Sequence, residues 1–159
     1  MSRVQLALNV SNIDEAVAFY SKLFNTEVNK RKPGYANFAI AEPRLKLVLI
    51  EGEGGGTLNH LGVEVDTAEE VEAAEGRLST DGLETTGIDD TMCCYALKTE
   101  TWVNDPDGAP WEFYVKTGDA EQMTNTILGD GENAQCCAPA ATSAPVSVGV
   151  APEPAAGCC

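Results

Sequence analysis

The stretch QLALNVS (residues 5–11) and the stretch HLGVEVD (residues 60–66) share one pattern at a period of 55 residues. Each starts on a polar residue, runs through alternating or continuous apolar positions, and ends on a residue able to cap a helix. Beyond them, Asp14-Glu15-Ala16-Val17 falls against Glu69-Glu70-Val71-Glu72, and Leu23 falls on Leu78. Each copy therefore reads as a strand, a cap and a helix. Ser11 or Asn12 offers the first cap; Thr67 with Glu70 has capping-box spacing for the second. The first helix places Ile13, Val17, Tyr20 and Phe24 on one stripe. The second carries a weaker stripe of Val71, Ala74 and Leu78 and stops at Asp81-Gly82.

Three strand-like segments follow each helix. In the first copy they span about 27–32, 35–41 and 44–51, broken by Pro33-Gly34 and Glu42-Pro43. In the second they span about 84–88, 93–103 and 110–116, with Asn104-Asp105-Pro106-Asp107-Gly108 as a turn. Both copies read β-α-β-β-β, as modules of about residues 1–55 and 56–117. Such modules bury their sheets by curling together, so the expected class is α+β, with a curled mixed sheet around a cleft.

Composition changes near residue 117. Every Lys and Arg lies at or before Lys116, and the last aromatic is Tyr114. From 118 to 159 the chain is mostly small and polar residues with Pro, and such a segment buries too little apolar surface to offset its ordering. The expectation is one domain over 1–117 and a mostly disordered, Cys-containing tail, with at most a short turn of helix at Gln122–Leu128.

Lys and Arg total 10 against 25 Asp and Glu, a formal charge of -15. A field of that sign repels phosphate, which argues against nucleic acid or an anionic membrane as a partner. The longest aliphatic run, Leu47-Val48-Leu49-Ile50, is too short to span a bilayer, and Met1-Ser2-Arg3-Val4 opens no signal peptide. A cytoplasmic protein is expected. Six cysteines come as three adjacent pairs, Cys93-Cys94, Cys136-Cys137 and Cys158-Cys159. Bridging neighbours constrains almost nothing, so these read as reduced thiols suited to soft ligands.

His60, the only histidine, starts the first strand of module two, and Gln5 starts the equivalent strand of module one. Equivalent strands of a pseudo-symmetric cleft aim equivalent residues at one centre. In Trp111-Glu112-Phe113-Tyr114-Val115 a single carboxylate sits among apolar residues and needs a partner, which a metal supplies. The repeat counterpart of Glu112 falls near Lys46 or Leu47, neither a divalent-metal ligand. Gln5, His60 and Glu112 thus form a three-ligand N/O set with open positions, as a non-haem Fe(II) oxygenase requires.

The paired modules, HLGVEVDTAEEV (residues 60–71) and NDPDGAPWEFY (residues 104–114) resemble the vicinal oxygen chelate superfamily of glyoxalase I, fosfomycin-resistance proteins, bleomycin-binding proteins and extradiol dioxygenases. The resemblance covers about residues 1–117. It implies metal ligands on the first and last strands of the modules, which maps onto Gln5, His60 and Glu112; Gln in place of the commoner His at the first position is a departure.

Cys93 and Cys94, in DDTMCCYALKTETWV (residues 89–103), open the long strand of module two. Strand geometry turns adjacent side chains to opposite faces, so both reach the cleft only from a loop or bulge. Two close thiols are a soft bidentate site for trivalent arsenic or Cd(II). The sequence is similar to the ArsI family of carbon–arsenic bond lyases, with a subgroup of cadmium-induced type. That resemblance implies an Fe(II)-dependent dioxygenase in which Gln5, His60 and Glu112 hold iron. It further implies that Cys93 and Cys94 bind a methyl or aromatic trivalent organoarsenical, with O₂ as co-substrate and arsenite as product. The alternatives are a metal-dependent lyase or thiol transferase of glyoxalase or fosfomycin type, and a non-catalytic cadmium- or arsenic-binding protein.

Overall fold

A computed structural model describes residues 2–128. Strand β1 (Arg3–Val10) leads through the Asn12 cap into helix α1 (Ile13–Phe24), then β2 (Lys30–Lys32), β3 (Tyr35–Ile40) and β4 (Leu45–Glu51). The second module repeats this with β5 (Thr57–Glu64), α2 (Ala68–Thr80), β6 (Asp89–Cys93), β7 (Ala96–Asn104) and β8 (Pro110–Asp119); a two-residue β9 (Thr126–Ile127) follows. All nine strands form one sheet in the order β2-β3-β4-β1-β5-β8-β7-β6-β9.

The side-chain oxygen of Asn12 accepts from the Asp14 and Glu15 amides, and Thr67 and Glu70 form the expected capping box. On α1, Ile13 and Val17 are buried against Phe38, Leu47 and Leu49, with Tyr20 and Phe24 packed beside them. Each aliphatic buried there contributes about 1.5–3 kcal/mol. Strand alternation sends Leu6 and Leu8 to this helix-covered face, while Gln5 and Ala7 turn to the concave one.

β1 pairs parallel with β4 and β5 parallel with β8, while β1 and β5 join the modules antiparallel. The junction sets Gln5 opposite Gly62, which itself lies opposite Glu112. A Cβ at Gly62 would lie 3.2 Å from the Glu112 carbonyl oxygen and 3.4 Å from the Gln5 side chain. Glycine there lets Gln5 lie across β5 toward Glu112.

Besides small shifts at strand ends, such as β2 at Lys30–Lys32 where 27–32 is expected and β5 starting at Thr57 ahead of His60, three larger differences from the sequence reading appear. Residues 84–88 form no strand, only an isolated bridge from Thr85 to Val103, because Gly87 takes a positive φ of 81° and resets the chain before β6. The segment 93–103 is not one strand: β6 ends at Cys93 and β7 begins at Ala96. Packed structure also continues past residue 117. β8 runs to Asp119, Ala120 is buried, and β9 pairs with β6 where a turn of helix was expected. Composition hid this because the segment is held mainly by backbone hydrogen bonds, to which side-chain hydrophobicity is blind. The remainder of the expected tail, including Cys136, Cys137, Cys158 and Cys159, lies outside the described residues.

Cutting the chain after Gly118 therefore removes the β6–β9 pairing and the backbone hydrogen bonds from Cys94 to Met123, Tyr95 to Gln122, Ala120 to Tyr95 and Leu128 to Asp90. At about 1 kcal/mol each, thermal unfolding of that truncation is expected to show roughly 2–4 kcal/mol less stability than the full chain. An unchanged melting temperature would show that residues 119–128 contribute nothing.

Candidate metal and thiol site

Gln5, His60 and Glu112 converge. The Gln5 amide nitrogen lies 2.9 Å from His60 Nε2 and donates to Glu112 Oε2 at 2.9 Å; His60 Nε2 and Glu112 Oε2 are 3.5 Å apart. Two ligand atoms each about 2.1 Å from one ion, at right angles, lie about 3 Å apart. The three side chains therefore have the spacing of one face of an octahedral ion, provided that the Gln5 amide presents its oxygen there and not its nitrogen. Among the described residues no group of three His, Cys, Asp or Glu side chains could hold a metal. This centre needs its amide.

Each member is held from behind. A register shift between Ala7 and Leu8, opposite His60 and Leu58, leaves Asn59 as the extra residue of β5. Asn59 Oδ1 lies 2.7 Å from His60 Nδ1, while Asn59 Nδ2 donates to Asn9 Oδ1 at 2.7 Å. That fixes Asn59 with its carbonyl toward the ring, so His60 carries its proton on Nδ1 and faces the centre with the Nε2 lone pair. Trp102 meets the ring edge-on at 5.2 Å.

Glu112 is fully buried, and its second oxygen is bonded by the Lys98 ammonium. Burial opposes the charge of Glu112, but the Lys98 ammonium overcomes it and holds the carboxyl well below its usual range. Burial likewise disfavours charge on Lys98, yet Glu112 and Glu100 raise its pKa well above 10.5. Glu100, 2.9 Å from the same ammonium, is pushed up to about 7, chiefly by burial. Lys98 thus occupies one oxygen of Glu112 and leaves Oε2 to the centre.

The thiols sit on the β6–β7 turn. Cys94 and Tyr95 both take positive φ, 56° and 61°, the backbone of a primed two-residue hairpin turn that ordinarily selects Asn-Gly. Two such residues cost on the order of 1–3 kcal/mol each unless their surroundings hold them. Here the surroundings do. Cys94 and Tyr95 donate their amides to the Met123 and Gln122 carbonyls at 3.0 and 2.9 Å, and the Tyr95 carbonyl accepts from Ala120 and from the Lys30 ammonium. The Tyr95 hydroxyl donates to the Pro33 carbonyl at 3.2 Å, and its ring packs on Tyr35. Cys93 Sγ and Cys94 Sγ end 2.9 Å apart, on one side of the backbone as an extended strand could not place them.

One cleft is lined by Cys93, Cys94, Gln5, His60, Lys98 and Tyr114 among others. The structure thus gathers all five sequence-expected residues: Gln5, His60 and Glu112 into one cluster and the two thiols onto the same cleft. Sequence reasoning missed Lys98, Glu100, Asn59 and Tyr114. A signal for two of them was present: Lys98 and Glu100 alternate on an otherwise uncharged strand, the mark of a charged inner face. A wider groove of about 350 Å³ between β1 and α1 holds one carboxylate, Glu15, and no imidazole or thiol.

The family model for the Glyoxalase/Bleomycin resistance protein/Dioxygenase superfamily matches residues 3–113. The chain is 52% identical over 141 residues to the trivalent organoarsenical cleaving enzyme of Thermomonospora curvata, covering 87% of this chain and 90% of that one. It is 39% identical over 152 residues to a protein of the same name from Bacillus sp. (strain MD1), covering 90% and 94%. It is equally 52% identical, over 142 residues, to the cadmium-induced protein CadI of Mycobacterium tuberculosis, covering 86% and 93%. An extradiol ring-cleaving dioxygenase from B. fuscum superimposes with a TM-score of 0.56 at 24% identity, over 75% of this chain and 34% of that one. The Mn(II)-bound glyoxalase of Novosphingobium aromaticivorans gives 0.55 at 17%, over 77% and 43%. These structures share the fold.

Proposed function

The chain belongs to the glyoxalase/bleomycin resistance protein/dioxygenase superfamily, and on that premise we propose an Fe(II)-dependent dioxygenase that cleaves the carbon–arsenic bond of trivalent organoarsenicals to arsenite. The observation that carries this reading is the pair of thiols 2.9 Å apart on the cleft that also exposes Gln5 and His60. Gln5, His60 and Glu112 would hold the iron, which when bound supplies the activation of O₂. Cys93 and Cys94 bind one As(III) atom together, each As–S bond replacing an As–OH whose oxygen leaves as water with the thiol proton, and orient its organic group toward the triad. The buried side chains of Tyr35 and Val48 line that approach. Lys98 keeps Glu112 ionised as a one-oxygen ligand. The relatives named for organoarsenical cleavage, similar over nearly their whole length, support the substrate class.

The test is aerobic incubation with Fe(II) and methyl- or phenylarsenous acid, assayed for arsenite. Arsenite release that requires both Fe(II) and O₂ is expected. Release without O₂ would favour a lyase of glyoxalase type. A second reading, cadmium or arsenic sequestration, is favoured by the equal similarity to a cadmium-induced protein; stoichiometric binding without turnover would establish it. Among the described residues no helix is long and apolar enough to cross a membrane. Replacing Cys136, Cys137, Cys158 and Cys159 together is expected to leave cleavage nearly unchanged, since the two thiols on the cleft suffice to chelate arsenic.

A further inference from the structure

The Tyr114 hydroxyl has three polar neighbours: Gln5 Oε1 at 2.6 Å, Glu64 Oε2 at 2.9 Å and Lys46 Nζ at 2.7 Å. A phenol has one hydrogen to donate and two lone pairs. An ammonium only donates, so Lys46 takes one lone pair. A carboxylate only accepts, so Glu64 claims the hydrogen, and Arg3 holds that carboxylate in place through both of its oxygens. The second lone pair then calls for a donor, yet the atom facing it is the Gln5 carbonyl, which competes with Glu64 for the same hydrogen.

The other end of the amide shows the reverse. Without a cation, His60 Nε2 and Glu112 Oε2 are both acceptors, and the Gln5 NH₂ satisfies both at 2.9 Å. Turning the amide over inverts the balance. Its NH₂ would meet the free lone pair of Tyr114, and Tyr114 would give its hydrogen to Glu64 alone. Its carbonyl oxygen would then face the His60 lone pair and the Glu112 carboxylate. Three acceptors around one point are tolerable only with a cation between them.

We propose that the Gln5 amide is a metal-coupled switch, with NH₂ toward His60 and Glu112 in the metal-free protein and the carbonyl toward the ion in the loaded one, and that Tyr114, poised by Glu64 and Lys46, is the positioning residue that receives the turned NH₂. The inference rests on the metal reading of Gln5, His60 and Glu112, and it explains how a neutral amide serves as a ligand here. The hydroxyl waiting behind it offsets the loss of two hydrogen bonds. Gly62 leaves room for the rotation beside β5.

The experiment uses Zn(II), a diamagnetic probe, with the full-length protein. In amide-proton NMR, the side-chain NH₂ of Gln5 should show contacts to the His60 ring without metal and to the Tyr114 ring with it. By calorimetry, Tyr114→Phe should weaken Zn(II) binding roughly tenfold to a hundredfold, as loss of a partner behind a ligand does. In a Gln5→Glu background, where no NH₂ needs an acceptor, the same substitution should change affinity less than about threefold. That double-mutant contrast separates positioning from general damage, and so does an unchanged melting temperature in Tyr114→Phe. If Zn(II) binds and the NH₂ still contacts His60, or if Tyr114→Phe binds like wild type, the switch is wrong and the ligand set stands. If His60→Ala binds Zn(II) as tightly as wild type, the ligand set fails and the switch with it.

Discussion

Replacing either Cys93 or Cys94 by serine is expected to abolish organoarsenical binding and cleavage while leaving Fe(II) affinity near that of the wild type. The reason is chelation. Once one sulfur holds As(III), the other, 2.9 Å from it on the same rigid turn, closes a second bond at very high effective concentration. Losing either thiol forfeits that gain, on the order of 10²–10⁴ in affinity, not half of it. The proposed metal ligands lie on β1, β5 and β8, and none of them comes from the turn. Cys93 is buried, so a serine hydroxyl there costs roughly 1–3 kcal/mol of stability, and Cys93→Ala with a measured melting temperature provides the control. Paired titrations with phenylarsenous acid and Fe(II) on one preparation decide the matter. A Cys93/Cys94 double variant that still bound the arsenical would place the soft site elsewhere in the chain.

The legibility of this molecule follows its physics. The modules were readable because strand, cap and helix recur with one spacing, and the Thr67–Glu70 box and the α1 stripe are local patterns that tertiary context only completes. Gln5 and His60 were found by the repeat itself, which maps the start of β1 onto β5, and Glu112 by a carboxylate on an apolar strand. The adjacent cysteines were anomalous for a strand, and the anomaly was the signal: they lie on a turn whose positive φ values no Gly or Asn announces. What holds that turn could not be read. It is gripped by backbone carbonyls of Gln122 and Met123, in a segment whose side chains resemble disorder. The hydrogen bonds around Gln5 Oε1 were equally hidden, since Tyr114 lies 109 positions away in the chain and no local pattern joins it to Glu64 or Lys46.

Metal binding should respond unequally to changes at the three proposed ligands. His60→Ala removes the only imidazole and is expected to lower Fe(II) affinity by more than roughly a hundredfold and to abolish turnover, with the protein still folded, because the lost contacts are mainly to Trp102 and Asn59 at the cleft wall. Glu112→Ala is a harsher change. It strips a buried carboxylate from the Lys98 ammonium, and removing one member of a buried pair costs about 3–5 kcal/mol, moderated here by Glu100 on the same ammonium. Glu112→Gln is the better probe. Its carbonyl still accepts from Lys98, so the fold should hold while the anionic ligand is gone, and metal affinity should fall as far as in His60→Ala. Gln5→Ala should fall less, because a neutral amide oxygen is the weakest ligand of the three and water can take its place. Anaerobic Fe(II) titrations of the four variants, each with its melting temperature, test this order. Wild-type affinity in folded His60→Ala would remove iron from the cleft, whereas loss in His60→Ala and Glu112→Gln with partial retention in Gln5→Ala is what one imidazole, one carboxylate and one amide on a single ion require.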